Sequence, residues 1–351
     1  MGQKDVVHIP RVLYHWRAIP GSTAVAESEK SYAAESGRRA VKEHLKRTLV
    51  EAKVVPAPKV PNINRVIFKR PDPPPLLSII IPTRDNADIL KVCVNSILDK
   101  TTYPNYEIIV IDNGSVEKAT LKLFSSWPKD KIRVIRDESP FNFSAINNRA
   151  AKSARGELIC LMNNDIEIIT SDWAEEMASF ATMAEVGCVG ARLWYPNGRL
   201  QHGGVITGLG GVAAHSHKHF GKSECGYFGR AILHQSMSAV TAACLMVRRD
   251  VYESVGGLDE ELVIAFNDVD FCLRAREAGY RNIWTPYAEM IHHESISRGL
   301  EDNEEKQARF NGEIHFLKKR WGAKLLSDPA YNPNLTLDHE DFSLAWPPRV
   351  S

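Results

Sequence analysis

From Leu76 onward the chain alternates short apolar runs with stretches of helical periodicity. "LLSIIIPT" reads as a strand and is followed by the helical "NADILKVCVNSILDKT". "YEIIVIDNGS" precedes "VEKATLKLFSSW", "KIRVIRDE" precedes "FSAINNRAAKSA", and "GELICLMNND" supplies a fourth strand. Runs of Ile, Leu and Val without polar alternation suit strands buried on both faces, and strand–helix alternation makes neighbouring strands parallel. Right-handed crossovers then leave few topologies. From about Ser171 the pattern mixes. It predicts a helix near 172–183, strands near 187–194 and 241–248, and helices near 249–255 and 267–278. A last strand in "RNIWTPYAEMIHH" is followed by a charged helix from about 300 to 321.

The flanks read differently. "VVHIPRVLYHWR" is strand-like, and "SEKSYAAESGRRAVKEHLKRTLVEA" is rich in helix formers, with Ser28 or Ser31 as its N-cap. "VVPAPKVPNINRVIFKRPDPPPL" carries so many prolines that an extended connector is expected. Between the strand ending near 194 and the one starting near 241 lies "GGVITGLGGVAAHSHKHFGKSECGYFGR". A loop of that length inside a compact domain is expected to be a functional lid or a disordered segment. The tail "DPAYNPNLTLDHEDFSLAWPPR" is expected to wrap the surface. These zones divide the chain into a helical appendage with its linker (1–75), two halves of one α/β domain (76–170 and 171–298), and a C-terminal helix and tail (299–351).

Composition narrows the class of partner. The 351 residues carry 44 Lys and Arg against 43 Asp and Glu, a net charge of +1 that gives no electrostatic footprint for nucleic acid. Six cysteines stand without a CxxC pair, mostly inside apolar runs, as reduced core thiols of a cytoplasmic protein would. No apolar stretch approaches the roughly 20 residues of a membrane span, and no signal-peptide core opens the chain.

Three polar clusters end strands of the first half: Thr83-Arg84-Asp85, Asp112-Asn113-Gly114-Ser115 and Asn163-Asn164-Asp165. Each alone reads equally well as a turn. Parallel strands bring their carboxyl ends to one edge, where open α/β sheets bind ligands. Neither a G-x-G-x-x-G after the first strand nor a GxxxxGK[ST] is present, which speaks against dinucleotide dehydrogenases and P-loop enzymes. A nucleotide phosphate held without such loops needs a divalent cation on a carboxylate, and Asp165 is the natural carrier. "FNDVDFCLRAREAGYR" puts Asp268 and Asp270 in the first turn of a helix, where capping is the alternative role for Asp268. Of His292 and His293, alternate strand faces let only one enter the crevice.

The motifs "SIIIPTRDN", "EIIVIDNGS", "FNFSAINNRAAKSARGELICLMNNDIEI", "TAACLMVRRDVYESVGGLDEEL", "NDVDFCLRAREAGYR" and "PYAEMIHHESISRG" occur in this order between Leu76 and about Arg298. Together they resemble family 2 glycosyltransferases. The resemblance implies a GT-A fold, an α/β architecture with a Rossmann-like, mostly parallel central sheet flanked by helices. The likeness is to bacterial enzymes that build O-antigens, capsules and other surface polysaccharides, in which transferase domains often follow one another. On this likeness the chain is expected to be one domain of a longer enzyme.

The resemblance also assigns roles. "NND" stands at the family's DxD position, so Asp165 is expected to bind Mn2+ or Mg2+, with His292 as the second protein ligand. Pro82, Thr83, Arg84, Asp85, Asp112, Asn148, Asn163 and Asn164 are expected around the nucleotide. Asp268 matches the catalytic base, preceded here by Asn267 where the family usually has Glu. Asp270, two residues on, points about 200° away on a helix and is expected to matter less. The implied donor is a nucleoside-diphosphate sugar, UDP- or dTDP-linked. The implied acceptor is a glycan or lipid-linked oligosaccharide, met in the cytoplasm or at the inner face of the cytoplasmic membrane. Two alternatives keep weight: a nucleotidyltransferase or sugar-nucleotide hydrolase, and a glycan-binding domain that has lost activity, which Asn163 and Asn267 bring to mind. His215, His217 and His219 lack the fourth ligand of a structural zinc site, and their loop reads instead as an acceptor-side element.

Overall fold

The computed structural model describes residues 7, 9–11, 13–19, 32–294 and 303–349. The chain divides into two compact units. One comprises Met1–Lys69 with Tyr331–Thr336 and Ser343–Ser351; the other comprises Arg70–Ala330 with Leu337–Phe342.

In the first unit, α1 (Tyr32–Arg47) packs on a hairpin of β1 (Ala52–Ala57) and β2 (Val60–Phe68). The helix carries Glu35 in its first turn and His44, Lys46 and Arg47 in its last, which suits the helix dipole at both ends. The expected caps Ser28 and Ser31 lie outside the described residues. The hairpin replaces the connector expected from the prolines. In a two-stranded ribbon both strands are edges, so a residue without N–H can be carried on the outer side. Pro56 is exposed in part, pairs with Asn64 and sits at the register shift before Ala57. The extended link shrinks to the residues between Phe68 and Leu77. The described residues between 7 and 19 form no strand either, because a strand needs a neighbouring strand for its backbone groups and none is paired with them.

The second unit is built on one large sheet with strand order β12-β14-β8-β13-β6-β3-β4-β5. Its parallel half holds β3 (Leu77–Thr83), β4 (Tyr106–Asp112), β5 (Ile132–Arg136) and β6 (Leu158–Met162). Their connecting helices are α2 (Ala87–Lys100), α3 (Lys118–Ser126) and α4 (Phe143–Ser153). Ile79, Ile80, Ile81, Ile108, Ile109 and Val110 are fully buried, as strands covered on both faces must be. Thr83 pairs with Asp112, so the polar ends of β3 and β4 emerge level.

The other half is mixed. β8 (Val186–Trp194) and β14 (Arg281–His292) run parallel, while β13 (Cys244–Arg248) lies antiparallel between β8 and β6. β12 (Gln235–Met237) pairs the edge of β14; β7 (Ile166–Ile168) and β9 (Leu200–His202) pair β14 and β8. Gly190 faces Val240 so closely that a Cβ there would stand 2.5 Å from the valine Cβ. The glycine thereby lets the segment before β13 press onto β8. α5 (Trp173–Ala181) packs on β8, β13 and β14, and α6 (Arg249–Ser254) follows β13.

The Gly- and His-rich stretch is ordered rather than a loose lid. β10 (Val205–Thr207) and β11 (Ala213–His215) form an antiparallel hairpin, and Gly208, Gly210 and Gly211 supply the positive φ its turn requires. Its three histidines go to three places. His215 opens toward a cleft. His217 is buried, stacked 4.2 Å from Phe342, and His219 stacks on Tyr195. Among the described residues no three His, Cys, Asp or Glu side chains gather as a metal cluster. No described helix is long and apolar enough to cross a membrane.

The last helices fix one wall of that cleft. α7 (Asn267–Glu277) and α8 (Glu304–Trp321) are joined through Asp270, which is fully buried. Its carboxylate accepts from Arg274 Nε at 2.8 Å and from Arg320 and Trp321 Nε1 at 3.0 Å. Farther along α8, buried Glu313 accepts from the backbone N–H groups of Ile264 and Ala265, just before α7. Asp270 does face away from the cleft, as helical geometry requires, but it is an anchor rather than a bystander. Asp270→Ala should cost about 3 kcal/mol, the lower end for breaking a buried pair, because both guanidinium groups keep some contact with water. Denaturant unfolding measures this, and an unchanged midpoint would refute the anchor.

Candidate active site

The carboxyl ends of β3, β4 and β6 open into a cleft of about 710 Å³. Pro82, Thr83, Arg84 and Asp85 line it after β3, Asn113 and Glu117 after β4, and Asn163, Asn164 and Asp165 after β6. Thr241–Ala243, Asn267 and Asp268 line it as well, with His292 and Glu294 from the end of β14. Three separated stretches of sequence therefore converge because parallel strands share one polarity.

The turn after β3 is held by hydrogen bonds more than by its own conformation. Asp85 and Asn86 both adopt positive φ, a conformation their short polar side chains tolerate. Asp85 Oδ1 accepts from Val116 and Glu117 N–H at 2.8 Å each, and its own N–H donates to Ser115 Oγ. Asn164 Nδ2 donates to Thr83 Oγ1 at 3.0 Å, tying the ends of β3 and β6. Asp112 and Asn148, both expected at the nucleotide, do not line the cleft. Asp112 is buried, accepting from Ser115 N–H and from Arg136 at 2.7 Å, while its buried neighbour Asn113 lines the cleft and donates from Nδ2 to Asp137 O and Ser139 O. Asn148 Oδ1 accepts from Leu258 N–H and the Tyr252 hydroxyl, so this side chain clamps the loop after α6. Its helix turns it toward that loop, a direction that spacing along the sequence does not disclose.

At the end of β6 the polar groups form a chain. Glu294 accepts from Gln201 Nε2 at 2.9 Å, which leaves Gln201 Oε1 facing His292 Nδ1 at 2.8 Å. An amide oxygen only accepts, so Nδ1 carries a proton, and in the neutral imidazole Nε2 presents a lone pair. Asn163 Nδ2 approaches that lone pair at 3.3 Å. Asp165 Oδ1 stands 3.1 Å from the same nitrogen, yet it is buried and has no hydrogen-bond donor. Two electron-rich atoms thus face each other across a gap. A divalent cation fits this arrangement, since carboxylate oxygen and neutral imidazole are ordinary ligands and an outer hydrogen bond sets the tautomer. His293 turns to Glu167 at 3.1 Å and does not line the cleft.

Asp268 also lines the cleft, and Ala242 N–H donates to its Oδ2 at 2.9 Å and Val269 N–H to its Oδ1 at 2.8 Å. Asn267 is buried, with Nδ2 donating to Ile264 O, so this position serves the turn into α7 and has no room for a solvated charge. Gln201 and His215, from β9 and β11, also line the cleft, as do Lys306 and Arg309 from α8. Of these four, only His215 stood out in the sequence, as part of a loop read as an acceptor-side element. Gln201 lies in a three-residue strand whose pairing with β8 alone turns it inward, and no local pattern marks it.

A sequence model of the family described as "Glycosyl transferase family 2" matches residues 78–256, the part from β3 to just past α6. An uncharacterised protein of Sinorhizobium fredii is 50% identical over 347 residues, covering 98% of this chain and 38% of that protein. The O-antigen biosynthesis protein RfbC of Myxococcus xanthus is 36% identical over 343 residues, covering 97% of this chain and 26% of that protein. The chain therefore spans well under half the length of either relative. Among solved structures, a mannosyltransferase from Pyrobaculum calidifontis in complex with GDP-Man and Mn2+ superposes with a TM-score of 0.51. It shares 17% identity and covers 85% of this chain and 75% of that one, a likeness of fold. The curled mixed sheet with flanking helices is the GT-A fold, the matched segment contributes much of the cleft's lining, and the chain belongs to glycosyl transferase family 2.

Proposed function

We propose that this cleft moves a sugar from a nucleoside-diphosphate donor, UDP- or dTDP-linked, to a hydroxyl of a bacterial surface glycan or a lipid-linked oligosaccharide, with inversion at the anomeric carbon. The observation that carries the reading is the buried, donorless Asp165 Oδ1 facing the lone pair of His292. Asp165 and His292 would hold Mn2+ or Mg2+, which when bound neutralises charge on the departing diphosphate. The Pro82–Asp85 turn and Asn113 line the side where the nucleotide would lie. Asp268 would take the proton of the attacking hydroxyl while the bond from the anomeric carbon to the diphosphate oxygen breaks and the diphosphate leaves with the electron pair. Ala242 N–H donates to Oδ2 of that carboxylate and Val269 N–H to Oδ1, and each oxygen keeps a second lone pair for the proton.

The share of the longer relatives that this chain spans supports a further part of the proposal: it works beside other domains of one polypeptide, in the cytoplasm or at the inner face of the cytoplasmic membrane. Nucleoside diphosphate release from UDP-, dTDP- and GDP-sugars with Mn2+, measured with and without glycan acceptor, tests the activity. Release at equal rates without acceptor would make the protein a hydrolase. Neither release nor nucleotide binding would make it a non-catalytic domain.

Two variants test the site. Asp165→Ala should abolish Mn2+-dependent binding of nucleoside diphosphate in calorimetry, because a hard cation needs that carboxylate oxygen. Gln201→Leu should weaken it about 10–100-fold, the usual effect of removing an outer-shell partner. Affinity indifferent to EDTA and to both changes would remove the cation from this site.

Asp268→Asn should lower transfer by roughly 10²–10⁴-fold, the contribution of a positioned base. Asparagine can accept only one of the two N–H groups, from Ala242 or from Val269, so stability should fall by about 1 kcal/mol while nucleotide affinity holds. Near-parental transfer would leave Asp268 only its hydrogen bonds from Ala242 and Val269 N–H.

A further inference from the structure

One polar feature of the cleft is not used by this scheme. His202 on β9 and His215 on β11 meet edge to face, with Nδ1 2.7 Å from Nδ1. His202 is wholly buried, whereas His215 lines the cleft together with Asp268, Lys218 and Glu294. Only one of the two facing nitrogens can carry a proton. Thr241 N–H points at His202 Nε2 from 3.4 Å, and a backbone amide can only donate. His202 Nε2 therefore accepts, its Nδ1 carries the proton, and His215 Nδ1 accepts that proton's hydrogen bond. A neutral His215 is left with its own proton on Nε2. Among the described residues nothing accepts from that nitrogen.

Burial pushes His215 down to about 4 and His202 well below its ordinary value, and each imidazole also feels His292; Lys218 lowers His215 further, while Asp268 and Glu294 raise it. Both rings stay neutral where the enzyme works. Consecutive amides of one segment thus fix two groups: Thr241 N–H sets the imidazole pair, and Ala242 N–H sets Asp268.

We propose that His215 is a substrate-contacting residue, its Nε2–H donating to a hydroxyl oxygen of a sugar ring held beside Asp268. The proposal rests on the glycosyl-transfer reading of the same cleft. A neutral donor suits this place. A lysine or arginine there would pair with Asp268 and make it a weaker base. The hydroxyl can belong to the donor sugar or to the acceptor sugar, and the chemistry of the contact is the same.

Imidazole 15N–1H correlation spectra of the full chain need no substrate and so separate this assignment from the question of activity. The expected spectra show His202 protonated on Nδ1 and His215 on Nε2, with neither titrating between pH 8 and 5.5. His215→Phe keeps a ring without a donor, and His215→Gln keeps an N–H at nearly the same reach. His215→Phe should leave Mn2+-dependent affinity for UDP and GDP within twofold and cut transfer at least tenfold, with partial recovery in His215→Gln. Loss of the extra affinity that UDP-glucose or GDP-mannose shows over the bare diphosphate assigns the contact to the donor sugar. An unchanged increment with a raised KM for acceptor assigns it to the acceptor. A proton on His215 Nδ1, or transfer by His215→Phe within twofold of the parent, overturns the proposal.

Discussion

Asp165 Oδ1 and His292 Nε2 face one another at 3.1 Å, and the structure around them holds both in place. An imidazole free to choose would turn its N–H toward the carboxylate. Gln201 prevents this by accepting at Nδ1, and Gln201 is itself oriented by Glu294. The arrangement is unfavourable for the isolated protein and favourable for a cation, since an unmet lone pair in a buried place costs free energy that a ligand can return. Strands β6, β9 and β14 supply these groups from distant parts of the sequence, so the sheet must be complete before the pair exists.

That dependence explains what could be read in advance. The parallel half of the sheet was legible, because strands covered on both faces must be apolar throughout and helices between them must show their own period. The clusters after β3 and β6 were legible for the same reason: they break the apolar runs. The β1–β2 hairpin was not, since prolines that forbid a central strand are allowed on a ribbon with two edges. The direction of β13 was not either. Its apolar run suits a buried strand of either polarity, and its pairing with β6 and β8 decides.

Single residues show the same division. Asp270 looked like a spare acid at a helix start, and its weight comes from Arg320 and Trp321, some fifty residues away. Asp112 stood at the right strand end, yet Arg136 occupies its carboxylate and Asn113 lines the cleft. Asn163 and Asn267, the two departures that raise the idea of lost activity, each have a place in the folded chain. Asn163 offers an N–H to the lone pair of His292, and Asn267 fills a buried turn where a glutamate would need a counter-charge.

The segment from Thr241 to Ala243 draws these threads together. It is pressed toward β8 through the contact of Gly190 with Val240, and its amides then point at His202 and Asp268, while Ala243 O accepts from Asn163 N–H. A carboxylate, an imidazole donor and the cation-side turn are thereby fixed by adjacent peptide groups rather than by flexible side chains. Distances among them cannot drift independently, because a shift of this one segment moves all three. Such coupling suits a displacement in which the attacking hydroxyl, the base and the leaving diphosphate must align within a few tenths of an ångström. His215 is held in the same way by the tight β10–β11 hairpin: a donor proposed to meet one sugar hydroxyl works only if its tautomer and its position are settled before the sugar arrives.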